Sequence, residues 1–233
     1  MLIYDVGMHN GDDTHYYLMK GATVVGVEAN PQLVAQLAER FAAEIEAGRL
    51  HLIGKGVGYD EGVFPFYVAP NNAQQSSFVQ QRGFSKIDVE IVRLSALFAQ
   101  FGLPDFAKID VEHMDIHVLR DLLDNNVVPP HISVEAHSFA IILFLYKMNF
   151  TKFRLLNGRL VSQTYKNHSI STPDNVVKYS FPNHSSGPFG DDLPLPWVNI
   201  EQVCAHWMVR TSLTSPGWYD VHATGLQTLP VVR

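Results

Sequence analysis

The stretch Leu2-Ile3-Tyr4-Asp5-Val6-Gly7-Met8-His9-Asn10-Gly11-Asp12-Asp13-Thr14 decides the fold. Leu2 to Val6 read as a buried strand, the chain then turns through two glycines four residues apart, and Thr14 to Lys20 fits a short helix. Glycines at such a turn let the backbone take positive φ and come close to a ligand. Thr23-Val24-Val25-Gly26-Val27-Glu28 is the next strand and ends on an acid seventeen residues after Gly11. A carboxylate at that place can accept the hydroxyls of a ribose. Strand, glycine turn, helix, strand and terminal acid together predict a nucleoside-binding unit.

Outward from this unit the same rhythm continues. Asn30 is an N-cap candidate with Pro31 in the first turn behind it, and Leu33, Val34, Leu37, Phe41 and Ile45 give one apolar face to a helix over Gln32 to Ala47, closed by Gly48. Further strands are expected at Leu50 to Ile53, Phe106 to Asp110, His131 to Glu135 and Lys152 to Leu156, with helices at Asp115 to Asn125 and Ser138 to Met148. Strands alternating with helices mean an α/β fold with a mostly parallel sheet.

Two segments break the rhythm. Residues 56 to 94 hold a hairpin signal around Val63 to Val68 and a polar stretch from Asn71 to Ser77. Residues 164 to 216 are rich in Pro, Gly, Ser, Asn and His, with one clear helix at Ile200 to Thr211, and read as an insertion ahead of a last strand, Tyr219 to Thr224. The expected organisation is a single domain over 1–233, with a cofactor-binding core at 1–160, the insertion at 164–216 and the last strand within 217–224.

Composition narrows the function. The 233 residues are 46% hydrophobic and 17% charged, which excludes disorder as the main state. Seventeen Lys and Arg against 23 Asp and Glu, with no basic cluster, argue against a nucleic-acid partner. Cys204 stands alone, so neither a disulfide framework nor a Cys-rich zinc site is expected, which suits a reducing compartment. The start has no basic region ahead of an apolar one, and the longest apolar run, Phe139 to Tyr146, is far short of the ~20 residues of a membrane span. A cytoplasmic protein with no membrane partner is expected.

The glycine spacing selects the cofactor class. Dinucleotide loops carry Gly-x-Gly-x-x-Gly, and a phosphate-binding P-loop needs Gly-Lys-Ser/Thr. Here the pattern is Gly-x-x-x-Gly, followed by Asp12 and Asp13. Those acids would repel a pyrophosphate and would attract a sulfonium or an amino group. Asp5-Val-Gly-x-x-x-Gly-Asp, Val27-Glu28-Ala29-Asn30-Pro31 and Lys108-Ile109-Asp110-Val111-Glu112 closely resemble, in order, the three signature blocks of the FkbM-type S-adenosylmethionine-dependent methyltransferases, a class I, Rossmann-like family. The resemblance covers roughly residues 2 to 160. It implies a transferase with a seven-stranded, mostly parallel sheet whose last strand is antiparallel, and helices on both faces.

The resemblance also implies site roles. Asp5 and Gly7 would line the methionine end of S-adenosyl-L-methionine, Gly11, Asp12 and Thr14 would shape the loop, Glu28 would hold the ribose with Ala29 beside it, and the turn starting at Gly56 would touch adenine. Asp110 would lie at the catalytic position of many class I enzymes and beside the cofactor. One position departs from the pattern: the third block usually runs Val-Glu-Gly-x-Glu, whereas His113 follows Glu112 here.

An acceptor alcohol must lose a proton, and a positioned base is worth about 10²- to 10⁴-fold. His137, two residues after Glu135 and just past a strand end, is the candidate base, with Asp110 the alternative; no metal spacing occurs among the eleven histidines. Aromatics and polar groups in the insertion, from Asn183 to Pro194 with Trp197, Trp207 and nearby Trp218, suit a small-molecule or glycan acceptor, and His222 is a candidate for the same cleft. The expectation is O-methylation of a carbohydrate or small secondary metabolite. Transfer to nitrogen and an inactive nucleoside-binding module are the alternatives. Residues 71 to 84, or a second subunit of a homo-oligomer, are the candidates to cover the cofactor.

Overall fold

A computed structural model describes residues 1–70, 76–80, 82–213 and 218–226. In chain order its elements are β1 (Leu2–Val6), α1 (Asp12–Met19), β2 (Thr23–Val27), α2 (Pro31–Arg40), α3 (Ala42–Glu46), β3 (Leu50–Ile53), β4 (Gly56–Val57), β5 (Gly62–Val68), β6 (Ser85–Val92), α4 (Leu94–Phe101), β7 (Phe106–Ile109), α5 (Asp115–Asp124), β8 (His131–Glu135), α6 (Phe139–Lys147), β9 (Lys152–Asn157), α7 (Val161–Thr164), β10 (His168–Ser171), β11 (Val176–Tyr179), α8 (Ile200–Leu213) and β12 (Tyr219–Thr224). Seven strands form one sheet in the order β3-β2-β1-β7-β8-β12-β9, parallel apart from β12. The fold class is therefore the Rossmann-like methyltransferase sheet that the sequence predicts, its last strand antiparallel at the expected residues. The chain forms two compact units, Met1–Pro129 and Pro130–Arg233.

In the first unit, β1 is flanked by β2 and β7, all parallel, with Ile3, Tyr4 and Val6 fully buried. Continuous apolar runs are what a strand covered on both faces requires. α2 begins as predicted, the Asn30 side chain accepting the Gln32 N–H and Pro31 in the first turn. The helix expected over 32–47 breaks at Phe41, which leaves helical geometry and stays buried. The break separates α2 from α3 and sets the Phe41 ring against Gly11.

The segment 56–94 forms a second sheet, β4-β6-β5, in which β5 pairs antiparallel with β6. The polar stretch at 71–77, and with it part of the 71–84 cover, lies largely outside the described residues. α4 follows at once and was not anticipated, although its buried Leu94, Leu97 and Phe98 are spaced for one helical face.

In the second unit, β12 lies between β8 and β9 and is antiparallel to both. The segment 164–216 adds the hairpin β10–β11 to the expected helix α8. The hairpin turn is Thr172-Pro173-Asp174-Asn175, where the Thr172 hydroxyl and the Asn175 backbone bond each other. Among the described residues no helix is long and apolar enough to cross a membrane.

Candidate active site

The glycine loop is tied to both of its neighbouring strands. The N–H groups of Gly7 and Met8 both donate to the Val27 carbonyl at the end of β2, at 3.0 Å each. On the other side the Lys108 ammonium donates to the Gly7 carbonyl at 2.7 Å. Gly7 has φ 83°, and a β-carbon there would collide with the Asp110 carbonyl oxygen. Only glycine fits this place, for reasons of both conformation and space. Gly11 has φ 82°, caps α1, and lies so close to Phe41 and Leu37 that a β-carbon would overlap them.

Asp5 and Thr14 are fully buried, and the Thr14 hydroxyl donates to Asp5 at 2.6 Å. Burial drives the Asp5 carboxyl upward, while Lys108 and Thr14 pull it back. Asp5 thus anchors the loop from beneath. Asp12 in the first turn of α1 pairs with Arg40 of α2 at 2.9 Å and accepts from the Asn10 amide.

Glu28 is the centre of the β2 end. Its two carboxylate oxygens accept the backbone N–H groups of His9 and Asn30, each at 2.8 Å. It is not the cap of α2, a role Asn30 takes. A carboxylate offers about four lone-pair sites, so each oxygen keeps room for a further donor such as a ribose hydroxyl. Burial pushes its carboxyl up to about 7, against the opposing pull of the backbone donors and Lys108. Ala29, half-buried, follows it. Gly56 lies within β4, buried against Phe78 and Ile91, rather than in an open turn.

Lys108 is the residue whose role sequence reasoning missed. It is buried, lies 3.5 Å from Asp5 and 3.4 Å from Asp110, and holds the Gly7 carbonyl as well. The signal was a lone cation inside the apolar strand Phe-Ala-Lys-Ile, two residues ahead of an acid. Beyond Asp110 the chain carries Glu112 and Asp115. Burial, then the neighbouring acids, push Glu112 up to about 7; burial and Asp110 do the same for Asp115. Asp115 also accepts the Val111 N–H at 3.2 Å, which closes the turn into α5. His113 has φ 77° and Glu112 φ 47°, so the histidine occupies the left-handed region that suits the glycine of the family pattern. The imidazole is carried there at some conformational cost.

In the second unit, His137 Nε2 lies 2.8 Å from Glu135 Oε2, so the end of β8 sets an imidazole against a carboxylate. The string from Ser185 to Asp192 is tied down: Arg154 donates to the Gly190 carbonyl at 2.8 Å, His168 Nε2 meets the Asp192 carbonyl at 2.6 Å, and Ser171 N–H donates to Asp192. Trp207 of α8 is buried edge-on against Tyr219, and Trp218 stacks with His184 above Gly158. His222 is buried inside the sheet.

Residues 5–151 match the methyltransferase FkbM domain. No curated protein matches the chain. Among solved structures it is similar to a methyltransferase FkbM from Methylobacillus flagellatus KT, at 15% identity and TM-score 0.43, over 62% of this chain and 35% of that one. The chain thus spans about a third of that protein's length. It is also similar to a precorrin-6y C5,15-methyltransferase from Geobacter metallireducens GS-15, at 10% identity and TM-score 0.42, over 96% of this chain and 78% of that one. A third similar structure is phosphoethanolamine N-methyltransferase 2 from Haemonchus contortus, in complex with S-adenosyl-L-methionine, at 10% identity and TM-score 0.43, over 97% of this chain and 49% of that one. With the domain match covering well over half of its residues, the chain belongs to the FkbM family of S-adenosylmethionine-dependent methyltransferases.

Proposed function

We propose that this chain binds S-adenosyl-L-methionine and transfers its methyl group to a hydroxyl of a carbohydrate or small secondary metabolite, with His137 as general base. The observation that carries the reading is the 2.8 Å contact between His137 and Glu135. A carboxylate beside Nε2 favours the tautomer that carries its proton there and leaves the lone pair on Nδ1, the form a base requires. The acceptor's hydroxyl proton passes to Nδ1 as the oxygen–carbon bond forms, and Glu135 steadies the imidazolium that results. The cofactor supplies a sulfonium methyl, electrophilic without further activation.

The residues of the first unit fit such a cofactor. Glu28 offers its remaining lone pairs to the ribose, and Gly7 lets the loop pass directly against the Asp110 carbonyl. Asp5 and Thr14 support the loop from the buried side, and Asp12 fixes α1 to α2. Asp110, the alternative base, is engaged by Lys108, which favours His137. The glycine-like backbone at His113 supports an active enzyme over an inactive module. The insertion at 164–216 would supply the acceptor's pocket, and a cytoplasmic setting with one cysteine and no disulfide framework belongs to the same proposal.

Calorimetric titration with S-adenosylhomocysteine, with NAD as control, tests the cofactor. Binding of the first alone supports the reading, and binding of NAD alone defeats it. An acceptor screen for S-adenosylhomocysteine release follows. His137→Ala should lower kcat by about 10²- to 10⁴-fold while cofactor affinity stays put; a near-normal rate removes His137 from the base role.

A further inference from the structure

We infer that the face of β8, β12 and β9 bearing Ser133, His222 and Arg154 binds a small oxyanion, a phosphate, sulfate or carboxylate group. The inference stands apart from methyl transfer and rests on the second unit alone.

The register brings these residues together. His222 of β12 pairs with Ser133 of β8 on one side and with Arg154 of β9 on the other. Directly opposed residues in antiparallel strands share a face, so the three side chains form one cross-strand row. His131, two residues before Ser133, lies on the same face, its ring 5.8 Å from that of His222. A sheet face in a protein interior is normally apolar, and this one carries a hydroxyl, a guanidinium and two imidazoles.

Among the described residues, two buried donors in the row find no hydrogen-bond partner, Ser133 Oγ and Arg154 Nε. Ser133 is 1% exposed. Buried donors are paired as a rule, and two left open in one row call for an acceptor. Arg154 is held in place for the task, its guanidinium stacked 3.9 Å over the Trp197 ring and bonded to the Gly190 carbonyl.

Charge selects an anion. Burial, then His131 and Arg154, hold the His222 imidazole well below its ordinary range; burial and Arg154 push His131 down to about 4. Arg154 is the standing cation of the row, and an anion beside the two neutral imidazoles would favour their protonated forms. The opposing groups are Asp191 and Tyr165 near Arg154, and the carboxylates of Glu135 and Asp220 in the next row of the same face. Arg154 and His131 are only part-buried, which gives the row an open side.

The test is nuclear magnetic resonance of the histidine ring signals in the whole protein, titrated with inorganic phosphate, sulfate or acetate at constant ionic strength, with chloride as control. Saturable movement of the His131 and His222 signals, with a rise in their pKa, is expected. Arg154→Gln should weaken binding by about 10- to 100-fold, and Ser133→Ala by less. A response to phosphate and sulfate assigns a tetrahedral group, and a response to acetate alone assigns a carboxylate; each supports the site. No response, an equal response to chloride, or an undiminished response in Arg154→Gln overturns it. The wild-type titration decides the matter even if both variants fail to fold.

Discussion

Replacing His113 with glycine should stabilise the protein. His113 is exposed and holds φ 77°, and Glu112 ahead of it holds φ 47°. A β-carbon in the left-handed region costs about 1–2 kcal/mol, and histidine, better suited to it than most residues, falls at the lower end. Glycine removes that strain, but its greater freedom in the unfolded chain gives back about 0.4–1 kcal/mol. The net gain is about 0.5 kcal/mol, or roughly 1–2 °C in Tm for a chain of this size. His113→Ala is the necessary partner, because it deletes the imidazole and keeps the β-carbon. It should fall at or below wild type, so that the glycine variant leads it by about 1 kcal/mol. Urea unfolding with an unchanged m-value, together with thermal midpoints, measures the difference. An alanine variant as stable as the glycine variant would refute the argument, since glycine leads only if the strain it relieves outweighs its entropic cost. Affinity for S-adenosylhomocysteine should be the same in both.

Four other outcomes follow from the first unit. Lys108→Met leaves Asp5 and Asp110 without their shared cation and should cost about 3–5 kcal/mol in urea unfolding; a loss under 1 kcal/mol would show that the ammonium is not what holds the loop. Gly7→Ala, whose β-carbon would strike the Asp110 carbonyl, should cost ~3 kcal/mol or more and remove cofactor binding together with stability. The Glu28 carboxyl stands at about 7 and ribose hydroxyls favour its ionised form, so S-adenosylhomocysteine affinity should rise with pH, level off above 7, and at pH 6 lie about tenfold below its plateau. Glu28→Gln should flatten that profile in calorimetry and weaken binding. Glu28, Glu112 and Asp115 all titrate higher when folded than unfolded, so their stabilisation is full below about pH 4 and is lost as pH rises to about 7; the urea midpoint at pH 5.5 should exceed that at pH 7.5.

Much of this was legible in the sequence because local chemistry and tertiary role coincide there. β1, β2 and β12 are short β-favouring runs with sharp ends, and Asn30-Pro31 starts a helix whatever surrounds it. Glu28 and the two glycines were legible because a strand end and a turn leave few other reasons for those residue types. What was not legible depends on partners distant in sequence. Phe41 breaks an otherwise continuous helical pattern because its ring is needed against Gly11, thirty residues earlier. Lys108 gains its meaning only from the register that sets β7 beside β1. Gly56 reads as a turn until β6, more than thirty residues on, arrives to pair with it. His113 gives no local sign of its left-handed backbone, because nothing in a histidine's residue type calls for positive φ.

The way the glycine loop is tied has a thermodynamic consequence. Its backbone is fastened to Val27, Glu28 and Lys108 by the chain's own hydrogen bonds. Ordering a flexible loop on binding draws on the interaction energy, and a loop already in place spares it. Ligand capture at Glu28 should therefore behave as docking onto a rigid seat, with a heat-capacity change set by the ligand's own buried surface and no added signature of chain ordering. The same fastening links the seat to the acid-bearing turn at Asp110, because Lys108 grips both. Strain placed on one strand end is then felt at the other as a shift of a single shared cation.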